Sequence, residues 1–287
     1  MPPALPPSPP APRFADIRPA PADNPHPAIV GAYVEWKAMP SRHLARARDI
    51  LVWLPPGYDA PENAAVRYPV LYLHDGRQVF DPATSTWGHD WRIDDEAQRL
   101  IPAGRCAPFI AVAADCTPDR DYEYSPGPGG DAYLRFLADE LKPAVDRAFR
   151  TDPARSAICG ASMGGLISLY ALLRRPDLFE AAACLSPAFV APWDAPIAAL
   201  LDAPGSADLL AHVRVYLSCG GAGRLEPRLL PGTQAVSDRL LARGLPPSAH
   251  RLDLDPAADH NELAWSRLVP VFLPFLFPPV APAAPRP

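Results

Sequence analysis

From residue 47 onward, short apolar runs alternate with segments whose apolar positions recur every three or four residues. Ala47 to Leu54 alternates into an apolar run and stops at Pro55-Pro56-Gly57-Tyr58, which predicts a strand and a turn. Tyr68 to His74 is a continuous apolar run ending at Asp75-Gly76, the pattern of a strand buried on both faces, and Phe109 to Ala114 is another. Asp95 to Ala103 reads as a helix. Asp131 to Arg150 carries Tyr133, Leu134, Leu137, Leu141, Val145 and Phe149 at helical spacing over about five turns. The alternation then repeats. Strands are predicted at 156–159, 181–185, 213–218 and 248–254, and helices at 165–174, 198–211, 233–243 and 262–276. Strands alternating with helices predict an α/β fold, a mostly parallel central sheet with helices on both faces.

Composition changes this picture only at the ends. Of 41 prolines in 287 residues, eleven fall within the first 27 and five within the last ten. Residues 1–30 therefore read as a proline-rich, disordered tail, 31–277 as one domain, and 278–287 as a second proline-rich tail. The net charge of −5 supplies no basic footprint for nucleic acid. No apolar run reaches the roughly 18–20 residues of a membrane span. The N-terminus also lacks the charged and apolar segments of a secretion signal, so a cytoplasmic location is expected. Five scattered cysteines without CxxC or Cys/His spacing point to free thiols rather than disulfides or a zinc site.

The chemistry centres on Cys159-Gly-Ala-Ser-Met-Gly-Gly165, a Gly-x-Ser-x-Gly string between a predicted strand and a predicted helix. At such a turn the backbone is strained, the hydroxyl points away from the sheet, and flanking glycines allow close backbone approach. This makes Ser162 the candidate nucleophile and the Met163 N–H, at the helix N-terminus, an oxyanion donor. A serine hydroxyl needs a base. Of seven histidines, His260 is the one that follows the last strand and precedes the final helix, where the nucleophile–acid–histidine order of this architecture requires it. His74 ends a strand at the position of an oxyanion loop, and His89 lies in a connection. For the acid, Glu226 is the only carboxylate in the segment following the strand that ends at Ser218; Asp253 and Asp255 on the last strand are alternatives. The second oxyanion donor is expected from the turn His74-Asp-Gly-Arg77, as the Arg77 N–H.

Several blocks in order resemble the enterochelin esterase-like branch of the esterase D group of α/β-hydrolases. These are Tyr68 to Gly76, Phe80-Asp-Pro-Ala-Thr84, Glu123-Tyr-Ser-Pro126, Gly160 to Gly165, Leu185-Ser-Pro187, and His260-Asn-Glu262 with Trp265, spread over roughly residues 48–277. The resemblance implies an α/β-hydrolase fold and serine-dependent hydrolysis of a soluble carboxylic ester without metal or organic cofactor. It also sets a puzzle, because relatives carry a glutamate after Gly-Thr-x, and the matching stretch Gly220-Gly-Ala-Gly223 ends in glycine. Either Glu226, three residues later, takes that place or the site lacks its acid. Trp87, Trp91 and Tyr124 are expected to line the substrate pocket, near His89 and Asp90. Asp90, Asp94, Asp95 and Glu96 read as a helix-start acidic run rather than a metal cluster. An acyltransferase using the same site, or a non-catalytic binding protein on this fold, remain the competing readings.

Overall fold

Tyr68–Leu73 is buried at all six positions and, as β4, lies in the middle of the sheet; odd and even positions feed opposite faces. Its neighbours are β5 (Ile110–Ala114) and β6 (Thr151–Ala161), both parallel to it. Beyond β6, the parallel strands β7 (Ala181–Leu185), β8 (Arg214–Gly220) and β9 (His250–Asp255) follow in chain order. On the other side, β3 (Arg48–Leu54) runs antiparallel to β5, β2 (Ala32–Met39) antiparallel to β3, and the two-residue β1 (Arg18–Pro19) antiparallel to β2. The sheet order is β1-β2-β3-β5-β4-β6-β7-β8-β9. The computed structural model describes residues 25–279 together with the backbone of Arg18 and Pro19.

Ten α-helices among the described residues cover the sheet. One face packs against α1 (Ile93–Leu100) and α10 (Val269–Leu276), burying Leu71, Leu73, Ala111, Cys159 and Tyr216 among Phe109, Phe272 and Phe277. The other packs against α3 (Pro128–Phe136), α4 (Lys142–Ala148), α5 (Met163–Arg174), α6 (Asp194–Asp202) and α8 (Glu226–Ala242). The short helices α2 (Arg120–Glu123), α7 (Ser206–Leu210) and α9 (Glu262–Ser266) sit in connections. None of the described helices is long and apolar enough to cross a membrane.

Several elements depart from the sequence reading, each for a local reason. Strand β2 was not expected; its alternation is broken by a register shift between Trp36 and Met39, where Ala38 takes φ 51°. The expected helix 131–150 is interrupted by a π turn at Leu137–Leu141, immediately before Pro143, whose missing N–H breaks the ladder. Pro204-Gly205 divides 198–211 into α6 and α7, and Pro270 restarts the last helix as α10. Helix α8 begins seven residues before the expected start at 233, at Glu226. Pro227 occupies a first-turn position that tolerates it, and the interior Pro231-Gly232 pair had hidden the continuity.

Residues 25–30, assigned to the tail by their prolines, pack on the domain. His26 reaches Asp81 at 2.7 Å and Glu35 at 2.9 Å, Ile29 is buried, and the Val30 N–H donates to Asp94 at 2.6 Å. The rest of the expected tails, at 1–17, 20–24 and 281–287, together with Val280, lies outside the described residues.

The strand order reverses around β4, where β5 lies on one side and β6 on the other. The carboxyl ends of the parallel strands therefore open a crevice there, the usual place for a ligand in an open α/β sheet.

Candidate active site

Ser162 sits at the β6-to-α5 turn with φ 58° and ψ −121°, a backbone region that L-residues rarely adopt. The turn survives because its surroundings fix it. The Ser162 N–H donates to Leu185 O at 2.9 Å, while the Ser162 carbonyl accepts from Leu166 and Ala188. A Cβ on Gly160 would lie 2.5 Å from the Gly164 backbone, so only glycine permits this close crossing of strand and helix. Met163 is the first residue of α5, which puts its N–H at a helix N-terminus beside the serine.

His260 follows β9 on a short loop. Its Nδ1 is 2.8 Å from Glu226 Oε1, and its ring meets Trp265 edge-on at 5.0 Å. Glu226, the first residue of α8, has a fully buried side chain. Its Oε2 accepts from the Gly220 N–H at 2.6 Å and the Cys219 thiol at 3.0 Å. Burial alone would raise this carboxyl, but the hydrogen bonds from His260, Ser186, Cys219 and Gly220 prevail and hold it down at about 2. A charged Glu226 has no proton to give, so Nδ1 carries the hydrogen and Nε2 is left as the free acceptor. Ser186, at φ 42°, takes the Trp265 Nε1–H on its Oγ at 3.0 Å and ties that ring to the acid.

Ser162 and His260 line one cavity of about 300 Å³, together with Asp75, Gln78, Trp87, Trp91, Cys116, Arg120, Glu262 and Trp265. Trp87 is exposed at its rim and Trp91 is buried in its wall. Tyr124 is not part of it: the ring is fully buried beneath His74, and its hydroxyl takes the Asp75 N–H at 3.3 Å. That tyrosine supports the turn rather than facing the pocket. The alternative acids are engaged elsewhere, Asp253 with the Tyr216 hydroxyl at 2.7 Å and Asp255 with the Ala257 N–H at 2.9 Å.

Arg77 lies on the expected turn, a short 3-10 segment Gly76–Gln78, but its guanidinium points away from Ser162 to Asp115 at 3.0 Å. It lines a separate cavity of about 340 Å³ that includes none of Ser162, His260 or Glu226. The positive charge facing Ser162's cavity is instead Arg120, held by a bidentate pair to Asp75 at 2.7 and 2.8 Å. Neither residue was singled out from the sequence; Asp75 is marked only by its left-handed φ of 55°, which no sequence pattern announces. His74 is buried against the Tyr133 hydroxyl at 2.9 Å, and burial lowers it to about 3, so it stays neutral in the core. His89 is exposed.

The glycine at the expected acid position is explained by its backbone. Gly223 has φ +68°, a backbone that L side chains rarely adopt, and a Cβ there would displace the exposed Asp259 carboxylate, so this position favours glycine. The acidic residues on either side of Trp91 are spent on local contacts. Asp90 accepts from the Arg92 N–H, Asp95 pairs with Arg92, and Glu96 pairs with Arg99.

A parallel sheet with a serine on a strained strand-to-helix turn and a carboxylate–histidine pair at the following strand ends defines an α/β-hydrolase. The chain belongs to the family described as putative esterase, which matches residues 41–275. Among curated relatives it is 29% identical to the ferri-bacillibactin esterase BesA of Bacillus subtilis, over 56% of this chain and 60% of that one. It is 34% identical to an endo-1,4-beta-xylanase/feruloyl esterase of Xylanibacter ruminicola, over 45% of this chain and 18% of the other. The chain thus spans less than two thirds of both relatives. Among solved structures, a ferulic acid esterase superposes with TM-score 0.69 at 21% identity, covering 85% of this chain and 97% of that one, a likeness of fold.

Proposed function

We propose that the chain hydrolyses carboxylic esters of small, soluble substrates through an acyl-enzyme on Ser162. The observation that carries this reading is the buried Glu226–His260 pair at 2.8 Å, whose imidazole shares a cavity with the strained Ser162. In the proposed cycle His260 Nε2 takes the proton as Ser162 Oγ attacks the carbonyl carbon. Glu226 orients the ring and balances the imidazolium charge, and His260 returns the proton to the departing alcohol. Water then attacks the acyl-serine by the same route in reverse, releasing the acid. Met163 N–H, at the α5 N-terminus beside the serine, is assigned to hold the oxyanion. The relatives named for ferri-bacillibactin and feruloyl esters make esters of those two kinds the candidate substrates.

The test is direct. Ser162→Ala should abolish hydrolysis of p-nitrophenyl butyrate while leaving the thermal midpoint nearly unchanged, and a fluorophosphonate probe should label the wild type on the peptide containing Ser162 and leave the variant unlabelled. Labelling at another residue, or activity in the variant, would refute the assignment.

A further inference from the structure

The segment from Val79 to Asp90 carries Trp87 to the rim of the Ser162 cavity, and the Gln78 side chain makes the hydrogen bonds nearest that ring. Gln78 Oε1 accepts from the Ser85 hydroxyl at 2.8 Å and from the Thr86 N–H at 2.9 Å. Its Nε2 donates to the Thr86 hydroxyl at 2.6 Å. The Gln78 carbonyl accepts the Trp91 N–H at 3.1 Å and closes the loop at its far end. Two further tethers come earlier in the chain, Asp81 to His26 at 2.7 Å and the Thr84 hydroxyl to Arg77 O at 2.7 Å.

From Trp87 to His89 the described residues make a single hydrogen bond, Gly88 N–H to Ser85 O at 3.4 Å, within the loop itself. Where the Trp87 ring sits is therefore set by where Gln78 holds Ser85 and Thr86. The ring is 71% exposed and has no ring partner among the described residues, so the fold itself gains little from it.

Gln78, Thr86, Trp87 and Trp91 all line the cavity of about 300 Å³ shared by Ser162 and His260. That volume is at the small end for a ligand site, so an ester larger than the cavity must extend past its rim. An apolar or aromatic part of such an ester would bury against the exposed indole. We propose that Gln78 is a positioning residue for specificity: through Ser85 and Thr86 it holds Trp87 where the ring meets the part of an ester that extends beyond the cavity. The inference rests on the assignment of Ser162 as the nucleophile and adds a determinant of substrate size to it.

The experiment reads one ratio on the full chain, kcat/KM for an extended ester over kcat/KM for p-nitrophenyl acetate. p-Nitrophenyl 4-phenylbutyrate extends the acyl side, and 4-(phenylazo)phenyl acetate extends the alcohol side. An aromatic contact corresponds to about 3- to 10-fold in kcat/KM. Trp87→Ala should lower the ratio by that factor for at least one extended ester, through KM rather than kcat. Gln78→Met, which keeps the chain length and removes all three side-chain bonds, should lower the same ratio by a similar factor. In a Trp87→Ala background it should lower it no further. Gln78→Glu should keep the wild-type ratio within about twofold, because a carboxylate still accepts from Ser85 and the Thr86 N–H, and the Thr86 hydroxyl can donate to it.

Neither Gln78 nor Trp87 is buried, so these variants leave the core intact. The ratio is internal to each variant, so a general loss of activity does not move it. An unchanged ratio in Trp87→Ala for both extended esters overturns the contact. No loss in Gln78→Met, a loss that recurs in the Trp87→Ala background, or one that Gln78→Glu shares overturns the positioning role. Activity in Ser162→Ala would instead strike at the nucleophile assignment.

Discussion

Glu226→Gln is the most informative single change, because the structure says what an amide would do there. The two carboxylate oxygens receive donors from opposite sides, the His260 Nδ1–H at 2.8 Å and the Gly220 N–H at 2.6 Å with the Cys219 thiol. Glutamine offers one acceptor oxygen and one NH2, so in either orientation an N–H faces an N–H. Losing a charge-assisted hydrogen bond in a buried site costs about 1.5–3 kcal/mol. If the lost bond is the one to His260, the ring loses its tautomer and its counter-charge, and kcat should fall by roughly 10²–10⁴.

The same carboxylate makes a pH prediction. Its pKa is depressed from the ordinary 4.5 to about 2 in the fold, so its stabilisation is fully present above the unfolded value and is lost as pH falls toward the folded one. Between pH 7 and pH 3 the wild type should forfeit about 2 kcal/mol that the glutamine variant never had. Urea unfolding of both proteins across that range, with p-nitrophenyl butyrate turnover at pH 7.5, reads both effects. Full turnover in the variant, or a stability gap that does not narrow with acid, would refute the role given to Glu226.

Two further changes test the loop and the packed N-terminal segment. Gly223→Glu, which restores a glutamate where relatives carry one, should lower the thermal midpoint and give no gain in rate. The new side chain sits at φ +68° beside the Asp259 carboxylate, a strain worth about 1–3 kcal/mol by differential scanning calorimetry. Asp94 is buried and accepts the Val30 N–H, and burial raises its carboxyl to about 7. The folded state therefore holds a proton that the unfolded chain has released, and wild-type stability should decline as pH rises from about 4 to 7. Asp94→Asn, which keeps the acceptor for Val30, should remove that decline and be more stable than wild type by about 2–4 kcal/mol in urea at pH 8, with the gap closing toward pH 4.

The parts of the fold that could be read from the chain are those governed by local pattern. Runs such as Tyr68–Leu73 and Ala181–Leu185 are apolar at every position because both sheet faces are covered, and that burial is written directly into composition. The Gly-x-Ser-x-Gly turn is legible for the same kind of reason: a strained serine needs glycine within two residues, so the constraint is local. Chain order then narrows the histidines to His260. Glu226 was within reach as the only carboxylate in its loop, but the helix starting at that residue was concealed by Pro227, Pro231 and Gly232. Gly232 is there because a Cβ would meet the Phe189 carbonyl at 1.8 Å, a contact made by a residue 43 positions away.

By itself the sequence determined the strand–helix alternation, the serine on its turn and the histidine after the last strand, since each depends on neighbours a few positions away. Only the tertiary structure decided that Glu226 rather than Asp253 or Asp255 meets the imidazole, that Arg77 turns from the cavity while Arg120 enters it on Asp75, and that Tyr124 supports the turn from below. The same holds for the edge-on contact of Trp91 with Trp265. These are contacts between segments tens to more than a hundred residues apart, and their energies depend on burial and hydrogen-bond geometry that exist only once the sheet has brought its strand ends together.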